Sequence, residues 1–572
     1  MDWEKVMQQW DAFEHLDAHL RVELDNLSQE ELEDAFGAQL SFGTAGMRGV
    51  LGVGPNRMNK YTVRQATQGF AELIKSEGEE AMARGVAIGY DSRHYSPEFA
   101  LESALVLAKN GIKSYSFRDL RPTPAVSFAV RHWEAYAGIM ITASHNPKEY
   151  NGYKVYGEDG GQMPPEDSDR LTEFVRAVEN PLAVEVADEV EARDSGILQI
   201  IKRETDDAYF EELATVTIDR DLIQKMNDDV HIVFTPLHGT GKYYGEKGLS
   251  NAGFTNVHLV KAQSTIDGDF PTVESPNPES EEVFTQAEEL GRQVDADILL
   301  ATDPDADRLG AKAKDASGNY QLLTGNQIAC VMLDYILQAK SDKGELPSNG
   351  VACKSIVSTN LADRIIESYG LDMVEVLTGF RFIAEKIEEY EQSGDHTFLM
   401  GFEESYGYLV KPFVRDKDAI QALVVLAELV AYHKKHGRTL VDALEGLYEK
   451  HGYFLEKTIS VRYPGLAGAQ QMKDIMARIR REGISDFAGI QVVETADYLV
   501  GERTDANGQV EALSEPSSDA LKYKLEDGSW VAFRPSGTEP LIKMYLGVVA
   551  DTRQAVEEKA EKVEAAVRQA AQ

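Results

Sequence analysis

Cysteine is nearly missing from this 572-residue chain: only Cys330 and Cys353 occur, with no CxxC spacing. That scarcity excludes a disulfide framework and a thiolate metal centre, and it fits a cytoplasmic location. Long apolar runs are missing too. The most apolar helical stretch, Ala422 to Tyr432, is short and contains Glu428, so no membrane association is expected. The opening residues Met1-Asp2-Trp3-Glu4-Lys5 have no apolar signal region. Positive charge is scarce: 58 Lys+Arg stand against 96 Asp+Glu, a net charge of −38. Such a surface repels nucleic acid and anionic membrane, so neither is expected as a partner. It also repels a small anionic substrate unless cations are gathered at the site. The acidity itself reads as a surface adaptation to solubility or salt.

What the chain does contain is organised around residues 142–154, Thr-Ala-Ser-His-Asn-Pro-Lys-Glu-Tyr-Asn-Gly-Tyr-Lys. The strand-like run Ala137–Ile141 feeds this stretch, which turns at Asn146-Pro147 and again at Asn151-Gly152. A hydroxyl at the end of a buried strand, with His145 beside it and Lys154 ten residues on, reads as a positioned nucleophile. Ser144 is therefore expected to carry a phosphoryl group.

At roughly 150 residues per domain the chain holds about four. Ser28 and Glu31 form a capping-box pattern for a helix ending near Gly37. Ser41–Gly49, with three glycines around Arg48, is expected to be a loop that approaches something closely. Then Val86–Tyr90 reads as a strand, Ser96 as the cap of a helix to Lys109, and Ile112–Phe117 as the next strand. A second unit repeats the order from Val230–Phe234 to Ala296–Ala301. A third runs from Gly350–Val357 to Thr397–Met400 and closes with two helices. Strands alternating with helices imply α/β units with parallel pairing, and ligands in such sheets sit at the carboxyl ends of strands. The last stretch is strand-rich and ends in an amphipathic helix with Asp551 and Gln554 at capping positions and Val556, Ala560, Val563 and Val567 on its apolar stripe. The expected fold is three similar α/β mixed-sheet domains, then a smaller α+β C-terminal domain that acts as a mobile lid, around a central cleft. The boundaries are expected at 1–205, 206–322, 323–452 and 453–572.

Three loops are loaded with functional groups. Asp303, Asp305 and Asp307 put three carboxylates in five residues, which is hard to keep in a fold without a cation. Carboxylate oxygens suit Mg2+ or Ca2+, but an EF-hand loop would need Gly at position 308 and Glu at position 314. Arg308 beside the cluster makes sense if both face a phosphate. Glu403, Glu404 and Ser405 offer acceptors and a hydroxyl to a sugar. Arg534, Ser536, Gly537 and Thr538 form a compact anion cradle.

With these motifs the chain resembles the α-D-phosphohexomutase family over nearly all its length. TASHNPKEYNGYK at Thr142–Lys154, DPDADR at Asp303–Arg308, GFEESYG at Gly401–Gly407 and RPSGTEP at Arg534–Pro540 arrive in the family's order. The resemblance implies a phosphoserine at Ser144 and Mg2+ bound by Asp303, Asp305 and Asp307 together with the Ser144 phosphate. It implies acid–base helpers at Arg48, His145 and Lys154. It also implies a phosphosugar bound by Arg308, Thr378, Gly379, Glu403, Ser405, Arg534, Ser536, Gly537 and Thr538. The implied activity is interconversion of glucose 1-phosphate and glucose 6-phosphate, with glucose 1,6-bisphosphate as activator and intermediate, by a monomer or dimer. Alternatives are a phosphopentomutase, a phosphomannomutase, a glucose 1,6-bisphosphate synthase, or a non-enzymatic phosphosugar-binding protein. Pro304 and Ala306 stand where many members have Gly. Ser405-Tyr406-Gly407 and Phe42–Gly49 lean towards the glucose-preferring and phosphopentomutase-like members.

Overall fold

Strand and helix alternate along the chain as the periodicity predicts, and the computed structural model sorts them into two units. Met1–Leu323, Ala384–Ser393 and Tyr406–Thr439 form the first; Thr324–Ile383, Gly394–Ser405 and Leu440–Gln572 form the second. The structure describes residues 2–40, 42–43, 46–463, 465–536 and 541–572, without the side chains of 42–43, 465–467 and 469.

The first unit opens with three helices, Trp3–Asp11, Ala18–Asn26 and Gln29–Phe36, the last capped by the expected Ser28–Glu31 box. Trp10 packs edge-on against Phe36 and Tyr61 to seal them to the next domain. The first sheet contains β1 (Phe42–Gly43), β2 (Gly46–Val50), β3 (Val86–Tyr90), β4 (Ser114–Phe117), β5 (Ala137–Ile141), β6 (Tyr150–Tyr156) and β7 (Leu198–Ile201). Their order is β1-β2-β6-β5-β3-β4-β7. The central β5, β3, β4 and β7 are parallel, β6 runs against them, and β2, antiparallel to β6, runs with them again. Every residue of β5 is buried, which is why it reads as an unbroken apolar run. β3 and β5 are direct neighbours, so the loops leaving their carboxyl ends emerge side by side.

A second sheet follows: β8 (Ile232–Thr235), β9 (Val257–Leu259), β10 (Ile298–Thr302), β11 (Leu309–Lys314) and β12 (Tyr320–Leu323). The order is β12-β11-β10-β8-β9, with β8, β9 and β10 parallel. β10 and β11 form an antiparallel hairpin whose end pair is Thr302 and Leu309, so Asp303–Arg308 is the hairpin loop. The helix Ala419–Lys435 also belongs to this unit. Its buried Glu428 accepts from the Ile218 and Asp219 amides at 3.0 and 2.5 Å, which accounts for a carboxylate inside so apolar a stretch.

In the second unit β13 (Gly350–Ser355), β14 (Asp372–Val376) and β15 (Thr397–Glu403) are parallel in the order β14-β13-β15. The C-terminal sheet is antiparallel. Tyr453–Arg462 pairs along its whole length with Leu541–Ala550, and the helices Gly465–Glu482 and Arg553–Ala570 cover one face. The predicted class, three mixed α/β domains and an α+β C-terminal domain, is the observed one. Among the described residues no helix is long and apolar enough to cross a membrane.

Three local expectations are corrected. Gly46–Val50 is a strand, because pairing with β6 gives its glycine-rich backbone a ladder. Ser96 is the first helical residue rather than the cap: Tyr95 precedes it with φ +63°, and the Ser96 hydroxyl is spent on Asp91. The last helix is capped by Thr552, which accepts from the Ala555 amide, and not by Asp551 or Gln554. The apolar stripe of that helix is buried as expected.

Candidate active site

Ser144 is fixed by a relay between the loops after β3 and β5. Asp91 accepts from the Arg93 amide at 2.9 Å, from Ser96 Oγ at 2.8 Å and from Thr142 Oγ1 at 2.6 Å. Thr142 Oγ1 in turn accepts from the Ser144 amide at 2.8 Å. The buried Arg93 guanidinium donates to the carbonyls of Ser144 (2.6 Å), Asn146 (2.5 Å), Pro147 (2.8 Å) and Tyr150 (3.0 Å). These bonds hold Ser144 at φ +53°, a left-handed conformation that costs a non-glycine residue roughly 1 kcal/mol or more. The strain turns the side chain out of the strand direction. Its Oγ donates to Asp303 at 2.7 Å and lies 3.1 Å from His145 Nδ1. Arg48, on β2, reaches the same loop through Asn146 Oδ1 at 2.8 Å.

The hairpin loop Asp303–Arg308 is pinned from several sides. Thr123, which opens the helix Thr123–His132, donates its amide to the Asp305 carbonyl (2.8 Å) and its hydroxyl to Asp305 Oδ2 (2.7 Å). Lys154 Nζ lies 2.8 Å from Asp305 Oδ2 and 3.2 Å from Asp307 Oδ2; Lys417 lies 3.3 Å from the latter and 2.9 Å from Asp416. All three loop aspartates are buried. Burial, then the charges of Asp305 and Asp307, push Asp303 well above the usual carboxylate range. Burial also works upward on Asp307, but Lys154, Lys417 and Arg308 outweigh it and hold that carboxyl well below the range. For Lys154, burial opposes the charge and the two aspartates more than compensate, so its pKa is raised. Burial, reinforced by Arg308 and Arg48, holds the His145 imidazole well below its ordinary value.

The residues present fit a divalent cation. Among the described residues the buried Oδ1 atoms of Asp305 and Asp307 have no hydrogen-bond partner, and Asp303, Asp305 and Asp307 offer oxygens that all lie within 4.8 Å of one another. Buried acceptors left open in this way are the signature of a hard, oxygen-ligated ion.

The first unit thus brings together Ser144, His145, Arg48, Lys154, the three aspartates and Arg308, whose Nη1 also meets Glu279 at 3.2 Å. The remaining candidates belong to the second unit. Glu403, the last residue of β15 rather than a loop residue, accepts from the Gly379 amide at 2.8 Å, where Gly379 has φ +128°. The Thr378 hydroxyl is buried without a hydrogen-bond partner among the described residues. Glu404 accepts from Ser355 at 2.9 Å, and Ser405 is half-buried beside it. Arg534 is the penultimate residue of the strand Trp530–Pro535, next to Tyr545, and the Ser536 amide donates to the Leu541 carbonyl at 2.8 Å. Gly537 and Thr538 lie outside the described residues. Sequence reasoning missed Asp91, Arg93, Thr123, Asp416 and Lys417. Asp91 and Arg93 follow a buried strand just as Ser144 does. The alternating charges Arg415-Asp416-Lys417-Asp418 before an apolar helix were a second available signal.

Models of the phosphoglucomutase/phosphomannomutase alpha/beta/alpha domains I, II and III match residues 39–181, 207–316 and 324–451, and the model of the C-terminal domain matches 468–566. The chain belongs to the phosphoglucomutase/phosphomannomutase family. Within this family it is 40% identical over 529 residues to a phosphoglucomutase of Staphylococcus epidermidis, covering 92% of this chain and 94% of the relative. It is 38% identical over 522 residues to the phosphoglucomutase of Staphylococcus saprophyticus, covering 91% and 92%. A solved phosphoglucomutase/phosphomannomutase family protein from Burkholderia thailandensis shares the fold, with a TM-score of 0.64 at 17% identity, 93% of this chain and 97% of that one covered. The resemblance read from the four ordered motifs therefore stands.

Proposed function

We propose that the chain is an isomerase of the intramolecular phosphotransferase kind, a mutase that interconverts glucose 1-phosphate and glucose 6-phosphate. The observation that carries this reading is Ser144 Oγ at 2.7 Å from Asp303, inside a carboxylate cluster with open acceptors. The staphylococcal relatives support glucose as the sugar.

Ser144 bears the transferable phosphoryl group, and its strained backbone presents that group at the mouth of the aspartate loop. Mg2+, held by Asp303, Asp305 and Asp307 with the Ser144 phosphate, would offset charge on the transferring group. Arg308 adds a fixed positive charge beside the loop. Lys154 is engaged by two carboxylates, so it serves as a donor and charge anchor. His145 takes and returns the hydroxyl proton in this reading, which its Nδ1 at 3.1 Å from Ser144 Oγ supports. Thr378, Gly379, Glu403 and Ser405 hold sugar hydroxyls, while Arg534, Ser536, Gly537 and Thr538 hold the phosphate that is not reacting. Glucose 1,6-bisphosphate forms when Ser144 donates, reorients, and returns its other phosphoryl group to Ser144.

A coupled assay across hexose and pentose phosphates, with Mg2+ and added bisphosphate, tests this. Glucose 1-phosphate is expected to be the best substrate by kcat/KM. A preference for ribose 1-phosphate or mannose 1-phosphate would replace glucose in the reading. Net accumulation of the bisphosphate would make the chain a synthase.

A further inference from the structure

A cavity of about 700 Å3 lies in the first unit, away from Ser144, among the segments Arg118–Arg121, Ile201–Asp206 and Gly239–Tyr244. Its lining is unusual for a chain of net charge −38. Arg118, Lys202, Arg203 and Lys242 all border it, and none has an ion-pair partner among the described residues. With Arg121 they outnumber the three carboxylates of the lining, Asp119, Glu204 and Asp206, a local excess of positive charge in so acidic a chain. The cavity's buried acid, Asp206, is already taken, by Arg121 through two 2.8 Å bonds and by the Tyr244 hydroxyl at 2.6 Å.

Two further observations point to the same chemistry. The helices Arg203–Leu213 and Gly241–Ala252 both begin at the cavity, and neither has a side-chain N-cap. Their positive dipole ends favour an anion, although Glu204 already stands in the first turn of one and accepts from the Lys202 amide at 3.3 Å. Beside them Tyr243 and Ile266 are 44% and 41% exposed, large apolar surfaces at the edge of a polar hollow. Tyr243 packs edge-on against Phe210, which holds its ring in place for stacking. A bare phosphate would use the cations and leave most of the volume and the aromatic surface unused.

We infer that this cavity binds a nucleoside diphosphate or triphosphate, phosphates against the four cations and base against Tyr243 and Ile266. The walls of the cavity are also the supports of the aspartate loop. Arg118–Arg121 runs directly into Thr123, which holds Asp305, and Thr240 donates both its amide and its hydroxyl to the Pro304 carbonyl at 2.8 and 2.9 Å. A Cβ at Gly239 would fall 2.3 Å from Pro304 Cα, so the two loops are in direct contact. Occupancy therefore changes turnover through the seating of Asp303–Asp307.

Titration calorimetry of the full chain with ADP, inorganic pyrophosphate and adenosine tests the binding, which needs no mutase activity to be seen. ADP is expected to bind at one site, to persist at saturating glucose 1-phosphate, and to weaken as salt rises. The double variant Arg118→Glu/Lys242→Glu, at surface positions outside the catalytic groups, should weaken ADP at least about tenfold. Absence of ADP binding, its displacement by glucose 1-phosphate, or unchanged binding in the double variant would overturn the site. Pyrophosphate binding as tightly as ADP would overturn the nucleotide assignment. At fixed free Mg2+, ADP should alter wild-type turnover and leave the double variant's turnover unaltered; wild-type turnover indifferent to bound ADP would overturn the coupling.

Discussion

A buried guanidinium needs acceptors for its donors, and Arg93 finds them in four carbonyls of the loop that carries Ser144. Lysine cannot reproduce that fork, so Arg93→Lys leaves buried carbonyls unpaired. It should cost about 2–4 kcal/mol of stability and lower kcat more than it raises KM. Urea denaturation together with steady-state kinetics would register both; unchanged kcat would remove Arg93 from the positioning of Ser144. His145 and Lys154 were indistinguishable as proton carriers in the sequence, since both stand near Ser144 in the motif. Their contacts differ: Lys154 is paired twice, and His145 Nδ1 lies 3.1 Å from the Ser144 hydroxyl. His145→Gln is expected to lower kcat by about 10²–10⁴ while Ser144 still accepts a phosphoryl group from glucose 1,6-bisphosphate. A variant with near-normal kcat would return the proton to another group. The three aspartates could be read directly because like charges so closely spaced demand a neutralising partner. Thr123 could not, since nothing local marks a helix-starting threonine as the support of a loop 182 residues away.

The helix Ala419–Lys435 depends on its N-cap, Asp418, which accepts from the Ile420 and Gln421 amides at 2.9 and 3.2 Å and from the Tyr209 hydroxyl at 2.8 Å. Burial outweighs these bonds and pushes its pKa up to about 6. The folded chain thus keeps a proton that the unfolded chain releases near pH 4, so stability falls as pH rises from about 4 through 6. The shift corresponds to about 3 kcal/mol at most. Asp418→Asn keeps a capping oxygen and loses the titration, so its denaturation midpoint should vary less between pH 4 and 7 than the parent's. A parent midpoint that rises over that interval while the variant's stays level would contradict the assignment. Elements such as β3, β5 and β10 could be read because both faces are buried and the apolar run is continuous. Gly46–Val50 could not. Its strand character comes from β6, a hundred residues on, and glycine lends no local preference.

Across the whole molecule, −38 charges repel one another at low ionic strength, a cost borne by the folded state. Raising NaCl from about 0.01 to 0.15 M shortens the screening length from about 30 to 8 Å and should raise the melting temperature. A melting temperature that falls over this range would mean that attractive pairs dominate the surface. The fold class and the order of the four loaded loops could be read from the chain because each loop follows a strongly patterned strand. How Asp91, Arg93 and Lys417 converge on two of them could not, because that depends on which strands become neighbours. The account rests on Ser144 as the phosphoryl carrier, and intact-mass analysis of the full chain tests this most directly. Treated with glucose 1,6-bisphosphate and Mg2+, the chain should become heavier by one phosphoryl group, located on Ser144 by peptide mapping and discharged by glucose 1-phosphate. Ser144→Ala should show neither the added mass nor turnover. Phosphorylation elsewhere, or full turnover by the alanine variant, would contradict the account.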